Sequence, residues 1–197
     1  MVAERIRKES VEVGKRSQST TKETLLNASG EVVLRFGADA LTLDAVAKEA
    51  GVSKGGLLYH FPNKEALLTG MVANLIAQFE QLLEIELTRQ GDRTTKGAWL
   101  RAYIRAQDLF DRENAAIQSG LLAAVSKDSR LLQPLRDSYQ KWQQDAFNCG
   151  IAPVKAGIIL LAMDGLSLNI LLGTNCVSDQ ERSRIVEELI RMTYADE

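Results

Sequence analysis

The sequence predicts an all-α protein, and three observations support this fold class. Apolar residues recur every three or four positions along most of the 197 residues, which is the spacing of amphipathic helices. No stretch alternates apolar and polar residues between turn pairs, as the strands of a half-buried sheet do. Prolines are scarce and occur only at Pro62, Pro134 and Pro153. We therefore expect about nine helices and no internal repeat.

The composition is that of an ordinary globular protein. Hydrophobic residues make up 45% and charged residues 25% of the chain, which is enough for a sizeable core. The length suits one large domain or a small domain joined to a larger one. The formal net charge is −2 at pH 7. Because DNA-binding domains are usually basic, any contact with nucleic acid would require a local basic face.

The sequence also predicts a soluble, cytoplasmic protein that does not associate with a membrane. Cys149 and Cys176 are the only cysteines and lack a CxxC spacing, as expected of reduced cytosolic thiols. The charged N-terminal segment lacks the apolar core of a signal peptide. The most apolar run, residues 158–172, is shorter than a membrane span and contains Asp164 and Asn169.

Residues 1–18 are predicted to form a flexible polar tail, because five basic and three acidic residues leave little apolar area to bury. Two roles remain open for this tail: a basic arm that contacts phosphates, or a solvated terminus. Thr20 and Glu23 fit a capping box at the start of the first helix, and Gly37 fits its end. The residues spaced to face the core from this helix are Leu25, Ala28, Ser29, Val32, Val33 and Phe36.

Residues 41–68 contain two short helical patterns joined by a tight turn. Thr42 caps the first pattern and Gly51 ends it. Ser53 caps the second pattern and Pro62 ends it. This arrangement is typical of a helix-turn-helix, which places its second helix in a DNA major groove.

The second of these helices has an outer side suited to nucleic acid. Leu57 and Phe61 are predicted to face inward. The residues left on the outer side are Lys54, Gly55, Gly56, Tyr59 and His60. Small residues in the first turn let the backbone approach base edges, and the longer side chains reach bases and phosphates. Lys64, in the first turn of the next helix, opposes the macrodipole there, which favours a nearby anion.

The segment SKGGLLYHFPNKEALL, residues 53–68, resembles the recognition helix and following turn of the TetR family of one-component transcriptional regulators. The preceding TLDAVAKEAGV is similar to that family's second helix and turn, and the resemblance is dense over roughly residues 20–68. It implies DNA contacts at Thr42, Ser53, Lys54, Gly55, Gly56, Tyr59, His60 and Lys64. Leu58 stands where many members have an aromatic residue that touches the DNA backbone, so that contact is expected to be lost or to shift to Tyr59.

The expected organisation is the tail at residues 1–18, a helix-turn-helix domain at 19–66 and a helical effector-binding and dimerisation domain at 67–197. The helices predicted after the recognition helix cover about 64–89, 96–110, 113–125, 131–147, 153–172 and 178–194. Pro153 is acceptable in a first helical turn, and Ser178 and Glu181 form a second capping box. The resemblance implies that the fourth helix connects the two domains and moves when ligand binds.

The helix predicted over residues 153–172 is apolar nearly all round and therefore needs burial on more than one side. A subunit interface or the centre of a monomeric bundle would provide that burial. Small residues at Gly157, Gly165 and Ser167 permit close approach of another helix. The resemblance implies a homodimer formed through the last two helices. The interface residues expected are Gly157, Leu161, Asp164, Gly165, Leu168, Ile185 and Leu189.

A ligand pocket is expected in the helical body, although aromatic residues of this kind also form ordinary cores. The candidate lining residues are Trp99, Tyr103, Phe110, Tyr139, Trp142, Phe147 and Met163. Most charges of the surrounding helices fall on the solvent side, so we expect a small, mainly apolar or aromatic effector. Orienting polar groups would come from Gln107, Gln118, Asp164 and Asn169.

These features predict a ligand-responsive repressor that binds a palindromic operator as a homodimer. An enzyme is not expected, because His60 is the only histidine and no Gly-rich phosphate loop occurs. Neither a metal nor a cofactor is expected, since no carboxylate set has metal-ligand spacing. The alternative is a helical partner-binding protein with a degenerate DNA-binding head, which the weak basicity and Leu58 would favour.

Overall fold

The computed structural model describes residues 21–126, 128–174 and 176–194. Within these residues it contains α-helices and short 3-10 helices but no strand, so the predicted all-α class is confirmed. The helices are α1 (21–36), α2 (Leu43–Glu49), α3 (Lys54–His60), α4 (Lys64–Gln90), α5 (Ala98–Val125), α6 (Gln133–Phe147), α7 (Pro153–Leu172) and α8 (Asp179–Met192). The 3-10 helices are Ala38–Ala40 and Ser129–Leu132. The tail at 1–18 and Thr20 of the first capping box lie outside the described residues.

The chain forms two compact units that divide between Met71 and Val72, a point within α4. In the first unit, a core of aliphatic side chains joins α1, α2, α3 and the start of α4. Its most buried members are Leu25, Val32, Leu41, Val46, Leu57 and Leu67. Phe36 was predicted to face this core, but it is 59% exposed at the end of α1 and lies against the guanidinium of Arg35.

Side-chain caps define the short helices of the first unit. The oxygens of Thr42 and Ser53 each accept a hydrogen bond of 3.1 Å from the amide three residues on, and that of Asn63 accepts one of 2.7 Å. Such caps satisfy amides that have no partner within the helix. Gly51 adopts a φ of +66° between α2 and α3, a conformation that glycine reaches without strain. The predicted starts of α2, α3 and α4 are therefore confirmed.

The end of α3 is fixed by Phe61, whose ring is buried beneath α4 within the same unit. A Cβ atom built on Gly70 would lie only 2.6 Å from Cε1 of Phe61. Glycine at this position therefore lets the Phe61 ring pack directly on the α4 backbone. Pro62 follows immediately and prevents α3 from continuing.

The second unit is a helical bundle with an aromatic centre. Phe79 on α4 makes edge contacts with Tyr103 on α5 and Trp142 on α6, with ring centroids 5.4 and 4.7 Å apart. Met163 and Ile159 bring α7 into the same buried cluster. Such edge-to-face contacts add to the free energy of burying the rings.

The described chain differs from the prediction at one helix boundary, where the two helices expected over 96–110 and 113–125 form the single helix α5. The prediction left residues 111 and 112 between these two helices. Asp111 is instead buried and hydrogen-bonded, so its polarity does not end the helix. The body helices are consequently fewer by one than expected.

One side of α7 is packed and the other carries exposed apolar side chains. Ala156, Ile159, Met163 and Leu166 are buried. The exposed stripe comprises Val154, Ile158, Leu161, Gly165, Leu168 and Leu172. These positions alternate between spacings of four and three residues, as in the seam of a coiled coil. We call this surface the α7 seam.

Two helices of the described chain, α4 and α7, are long and apolar enough to cross a membrane on length and composition alone. The apolar run in α7 was predicted to be shorter than a membrane span, but the helix has 20 residues. The core helix of a soluble protein passes the same test, so this property does not by itself place either helix in a membrane.

Candidate functional site

The outer side of α3 exposes most of the residues predicted for it. Ser53, Lys54, Gly55 and Tyr59 are exposed, with Tyr59 72% exposed. Gly56 and His60 are half-buried, and the rings of Tyr59 and His60 meet edge to face at 5.1 Å. We call these residues, Ser53–Gly56 with Tyr59 and His60, the α3 face.

The α3 face is held in place by an apolar anchor on its opposite side. Leu57 has no exposed surface and Phe61 is almost completely buried, so the helix cannot rotate without exposing both. Leu58 lies between the two sides and is 37% exposed. The aromatic ring that projects into solvent at this part of the helix is therefore that of Tyr59.

Nothing in the part of the chain that the structure describes requires glycine at position 55. A Cβ atom built there would have only the Ser53 hydroxyl within reach, at 4.0 Å, and the backbone does not adopt a positive φ. An alanine would fit and would favour the helix by about 1 kcal/mol. The bare backbone at Gly55 is thus unexplained by the fold and leaves room for an external molecule to approach closely.

Two further predicted residues stand at neighbouring helix starts. Thr42 precedes α2 and Lys64 begins α4, and both are exposed. The Thr42 hydroxyl oxygen accepts from the Ala45 amide, which leaves its own O–H proton to donate elsewhere. All eight predicted contact residues therefore lie within Thr42–Lys64, and most of them are accessible to solvent.

The electrostatics of this region are locally mixed rather than strongly basic. Residues 21–71 contain five basic and six acidic residues. The ammonium of Lys54 lies 2.9 Å from the carboxylate of Asp44 on α2, and both side chains are mostly exposed. An exposed pair of this kind is worth at most about 1 kcal/mol, so a phosphate could replace Asp44 as the partner of Lys54.

The second unit contains a cavity of about 140 Å³ between α4, α5, α6 and α7. Its walls are mainly aliphatic and aromatic. The lining residues are Val72, Leu75, Ile76, Phe79, Gln107, Phe110, Gln118, Leu121, Leu122, Val125, Leu132, Leu135, Tyr139, Trp142 and Ser167. Leu122 and Tyr139 are also partly exposed to solvent, at 37% and 41%, so they mark the side on which the cavity opens.

Of the predicted pocket residues, Phe110, Tyr139 and Trp142 line this cavity. Tyr103 and Met163 belong to the packed core instead, with 1% and no exposure. Trp99 stacks on Tyr103 at 5.2 Å and borders a separate polar recess. That recess is formed with Arg93, Thr94, Thr95, Lys96, Asp145, Asn148, Cys149 and Gly150. Phe147, another of the predicted lining residues, is partly exposed on α6.

Of the four polar residues predicted to orient a ligand, two line the cavity and two do not. Gln107 and Gln118 line the cavity. Asp164 does not line it but accepts a hydrogen bond of 3.1 Å from the hydroxyl of Tyr139. Asn169 donates to the thiol of Cys176. Burial raises the pKa of Asp164, and burial together with the nearby Asp164 charge raises the pKa of the Tyr139 hydroxyl.

A buried hydrogen-bond network lies behind one end of the cavity. The Gln107 amide nitrogen donates to Asp111 at 2.8 Å and to the Ser167 hydroxyl at 3.2 Å. Asp111 in turn accepts a hydrogen bond of 3.0 Å from Arg182 on α8. The cavity wall is therefore connected through three side chains to the last helix.

Apart from Gln118, the sequence did not identify the cavity residues contributed by α4 and the second half of α5. Val72, Leu75, Ile76 and Phe79 follow the helical spacing of an ordinary buried stripe. Periodicity marks which face of a helix is inward, but not whether that face meets a neighbour or a void. The one available signal was Gln118, a polar residue within an otherwise apolar stretch of α5.

Three of the seven predicted interface residues, Leu161, Gly165 and Leu168, lie on the α7 seam. Leu161 and Leu168 are 72% and 51% exposed, and Gly165 is exposed beside them. A Cβ atom on Gly165 would meet nothing within 4 Å, so its side is open. Gly157, Asp164 and Ile185 are half-buried, whereas Leu189 is packed in the core of its own unit.

Within the described residues, no three histidine, cysteine, aspartate or glutamate side chains are grouped so as to hold a metal ion. The only histidine, His60, belongs to the α3 face.

Two family models match the chain. Residues 25–71 match the model described as bacterial regulatory proteins, tetR family, and residues 97–194 match the Tetracyclin repressor-like C-terminal domain. Among curated proteins, the HTH-type transcriptional regulator RutR of Escherichia coli K12 is 42% identical over 76 residues. That match covers 38% of this chain and 32% of RutR, so it extends over about a third of the relative.

Solved structures share the fold over most of the chain. A TetR family member from Streptomyces coelicolor A3 has a TM-score of 0.65 and 19% identity, covering 89% of this chain and 99% of that one. A TetR-family regulator from Haemophilus influenzae has a TM-score of 0.65 and 18% identity, covering 89% and 97%. The multidrug binding protein EbrR complexed with ethidium has a TM-score of 0.63 and 19% identity, covering 87% and 97%.

The two models account for the helix-turn-helix and for most of the helical body, and the solved structures reproduce both parts in one chain. The protein belongs to the TetR family of transcriptional regulators.

Proposed function

We propose that this regulator is a ligand-responsive repressor that binds a palindromic operator as a homodimer. Its effector is a small, mainly apolar or aromatic molecule whose binding releases the DNA. The observation that carries the DNA-binding part is the α3 face, where exposed polar side chains surround a glycine that the fold itself does not require.

In this proposal the α3 face enters the major groove. Gly55 and Gly56 bring the helix backbone close to the base edges, while Lys54 and His60 donate hydrogen bonds to DNA. Thr42, Tyr59 and Lys64 contact phosphates, and the Ser53 end of α3 directs backbone amides toward the DNA. Tyr59 takes the place of the aromatic contact expected at Leu58, since Tyr59 is the more exposed of the two.

The α7 seam supports the homodimer. Exposed leucine, isoleucine and valine side chains at coiled-coil spacing form an apolar surface of the kind that subunit interfaces bury. The expected interface combines this seam with residues of α8 such as Ile185. A two-fold dimer would place two α3 helices in successive major grooves, about 34 Å apart.

The cavity supports the effector-binding part of the proposal. Its walls are apolar and aromatic, with a few polar groups, which is the usual composition of small-molecule sites. EbrR, which has the same fold, is known in complexes with imidazole, ethidium and malachite green, all of them ring compounds. Effector binding would favour one of two dimer states and thereby change the separation of the α3 helices.

In this proposal the protein is located in the cytoplasm and is associated with the nucleoid when it is bound to DNA. It has no catalytic activity and needs no metal or cofactor. Transcription is controlled only by whether the protein occupies its operator.

Binding to the chain's own promoter, measured by fluorescence anisotropy, tests the proposal. Lys54→Ala and His60→Ala are expected to weaken binding at least tenfold while the dimer persists on size-exclusion chromatography. Lys48→Ala removes a comparable exposed charge from the end of α2 and serves as the control, with affinity close to wild type. Wild-type affinity in both α3 variants would refute the assignment.

The alternative is a partner-binding protein with a degenerate DNA-binding head. It is supported by the pairing of Lys54 with Asp44 in a region with slightly more acidic than basic residues, and by Leu58 at the usual aromatic position. Salt dependence separates the two functions. Phosphate contacts predict that affinity falls steeply and linearly with the logarithm of salt concentration. Promoter affinity that does not change with salt would favour the alternative.

A further inference from the structure

We infer that the cavity of the second unit binds a small, neutral aromatic molecule carrying a carbonyl-type acceptor, and that the Gln118 amide donates a hydrogen bond to this acceptor. The inference rests on the proposed ligand response, because it names the chemical class of that ligand. Four properties of the cavity support it: its volume, a buried polar atom in its wall that lacks a partner, the charges around it and the aromatic rings in its wall.

The volume limits the ligand to about one ring with a small substituent. An apolar protein cavity of roughly 150 Å³ holds a benzene molecule. The cavity bounded by Phe79, Phe110 and Trp142 has a volume of about 140 Å³. Its opening beside Leu122 and Tyr139 leaves space for a substituent and provides a route of entry.

The unsatisfied polar atom is Nε2 of Gln118. Among the described residues it is the one buried side-chain nitrogen or oxygen that has no hydrogen-bond partner. A buried polar group without a partner costs free energy, so such groups in native proteins call for an explanation. Because an amide nitrogen is a donor, the missing partner is an acceptor, and Gln118 lines the cavity where a ligand would supply it.

The other side-chain amide and hydroxyl groups of the wall, those of Gln107, Ser167 and Tyr139, are already engaged. The Gln107 amide nitrogen donates both of its protons, to Asp111 and to Ser167. The Ser167 hydroxyl donates to Asp111, and the Tyr139 hydroxyl donates to Asp164. Among these wall residues, the donor left for a ligand is therefore the Gln118 amide.

The surrounding charges favour a neutral ligand. None of the described lining residues is charged. Two carboxylates, those of Asp111 and Asp164, are each one hydrogen bond behind the wall, so they would repel an anionic ligand, and none of the described lining residues is a basic group that could bind it. A cation would lose its hydration without direct contact with a carboxylate, and it would face the Gln118 donor.

The aromatic wall favours a flat ring. Phe79 contacts Phe110 and Trp142 edge to face, with centroids 5.7 and 4.7 Å apart, so rings at different angles surround the same space. Aromatic pairs prefer such edge-to-face or offset arrangements over a direct sandwich. A ligand ring entering beside Trp142 would extend this cluster.

Four phenyl probes with equal numbers of heavy atoms test the ligand class in the full-length protein. Acetophenone carries the carbonyl, cumene replaces it with a methyl branch, 1-phenylethylammonium is cationic and benzoate is anionic. The chain has two tryptophans, so a Trp99→Phe variant leaves Trp142 in the cavity wall as the only tryptophan reporter. Titration of its fluorescence gives the affinity of each probe.

Acetophenone is expected to bind more tightly than the other three probes. Gln118→Leu in the same background should lower the affinity for acetophenone about tenfold, as expected for the loss of one hydrogen bond to a buried donor. The same substitution should leave the affinity for cumene unchanged or raise it. Gln140→Leu makes the same chemical change at an exposed position of α6 and should leave all affinities unchanged. The variants are compared by the ratio of acetophenone affinity to cumene affinity. A general loss of stability would lower both affinities together and would leave this ratio unchanged.

The inference is overturned if cumene or either charged probe binds wild-type protein as tightly as acetophenone, if Gln118→Leu preserves the ratio of acetophenone to cumene affinity, or if none of the probes binds. These outcomes are separate from the failure of the proposed function. A protein that binds its promoter but prefers the ammonium probe remains a regulator with a different ligand class. A protein that selects acetophenone through Gln118 but binds no DNA keeps the ligand class and loses the regulatory role.

Discussion

Arg182 on α8 donates a hydrogen bond of 3.0 Å to the carboxylate of Asp111 on α5, with both side chains almost completely buried, at 4% and 2% exposure. Arg182 also donates to Asp108 at 2.6 Å and to the Leu166 carbonyl of α7 at 3.0 Å. One side chain therefore joins three helices of the second unit. Since Asp111 also accepts from Gln107 in the cavity wall, this pair forms the inner end of the cavity's polar network.

Arg182→Met is expected to destabilise the protein by about 3–5 kcal/mol, because it leaves the Asp111 carboxylate buried without its cation. Loss of one partner of a buried ion pair is costly, although the intact pair itself contributes little net stability. Urea unfolding followed by circular dichroism measures the change in the free energy of unfolding.

The matched control is Arg191→Met, which removes the same group from an exposed pair with Glu188 on the same helix. A surface pair contributes at most about 1 kcal/mol, so this variant should unfold close to wild type. Adding Asp111→Leu to Arg182→Met should recover part of the lost stability by removing the unpaired charge. Equal destabilisation by Arg182→Met and Arg191→Met would contradict the structural role of the buried pair.

Asp44→Asn is expected to strengthen operator binding about two- to fivefold. The Asp44 carboxylate pairs with Lys54 and lies beside the surface that would face phosphates, so its removal frees one cation and removes one repulsive charge. Anisotropy titration at several salt concentrations measures the effect. Glu23→Gln, an exposed carboxylate near the start of α1, provides the comparison. An affinity reduced by Asp44→Asn would show instead that Asp44 positions Lys54 for DNA.

Gly55→Ala is expected to separate stability from DNA binding. The new methyl group has room in the protein and should raise the free energy of unfolding by about 0.5–1 kcal/mol through helix propensity. The same methyl group should weaken operator binding at least threefold if the backbone of α3 approaches the base edges. Thermal unfolding and anisotropy measure the two effects. Unchanged DNA affinity together with the gain in stability would mean that Gly55 does not face the DNA.

Leu161→Glu and Leu168→Glu are expected to dissociate the proposed homodimer. Both side chains are largely exposed in one subunit, so glutamate should be tolerated there, but it would place charges within the α7 seam of the dimer. Sedimentation velocity measures the molecular mass. Glu187→Ala, on the exposed charged side of α8, is the control. A dimer that persists in both α7 variants would place the interface elsewhere.

The helix-turn-helix could be predicted closely because its signals are local. Thr42, Ser53 and Asn63 cap helices through amides only three residues away, and Gly51 and Pro62 end segments through their own backbone limits. The prediction that Phe36 faces the core was wrong because the helical spacing of apolar residues continues to the last residue of α1, whereas the buried residues end one turn earlier.

The cavity could be predicted only in part because a void depends on contacts distant in sequence. Tyr103 and Phe110 both follow the inward spacing of α5, yet Tyr103 packs against Phe79 and Trp99 while Phe110 borders open space. Asp111 falls between two predicted helices, whereas its buried position within α5 depends on Arg182, which is 71 residues away. The sequence therefore shows which side chains face inward, but it does not show which of them contact each other and which border a cavity.

Asp164→Asn is expected to stabilise the protein at pH 7 and to have little effect below about pH 4. Burial raises the pKa of Asp164 above its ordinary value of 3.8, and repulsion by Asp111 adds to this shift. The folded state therefore binds a proton at Asp164 more readily than the unfolded state does. It follows that wild-type stability falls as the pH rises from about 4 through the raised pKa, and this unfavourable contribution persists at higher pH.

Asparagine removes the charge and retains an oxygen that accepts from the Tyr139 hydroxyl, so the comparison isolates ionisation. Urea midpoints at fixed protein concentration between pH 4 and 7 should show a gap between variant and wild type that widens with pH. Asp128→Asn provides a control of opposite sign. Hydrogen bonds from Arg130 lower the pKa of Asp128 to about 2, so this variant should be less stable than wild type at neutral pH. A gap for Asp164→Asn that stays constant across the range would show that folding does not raise the pKa of Asp164.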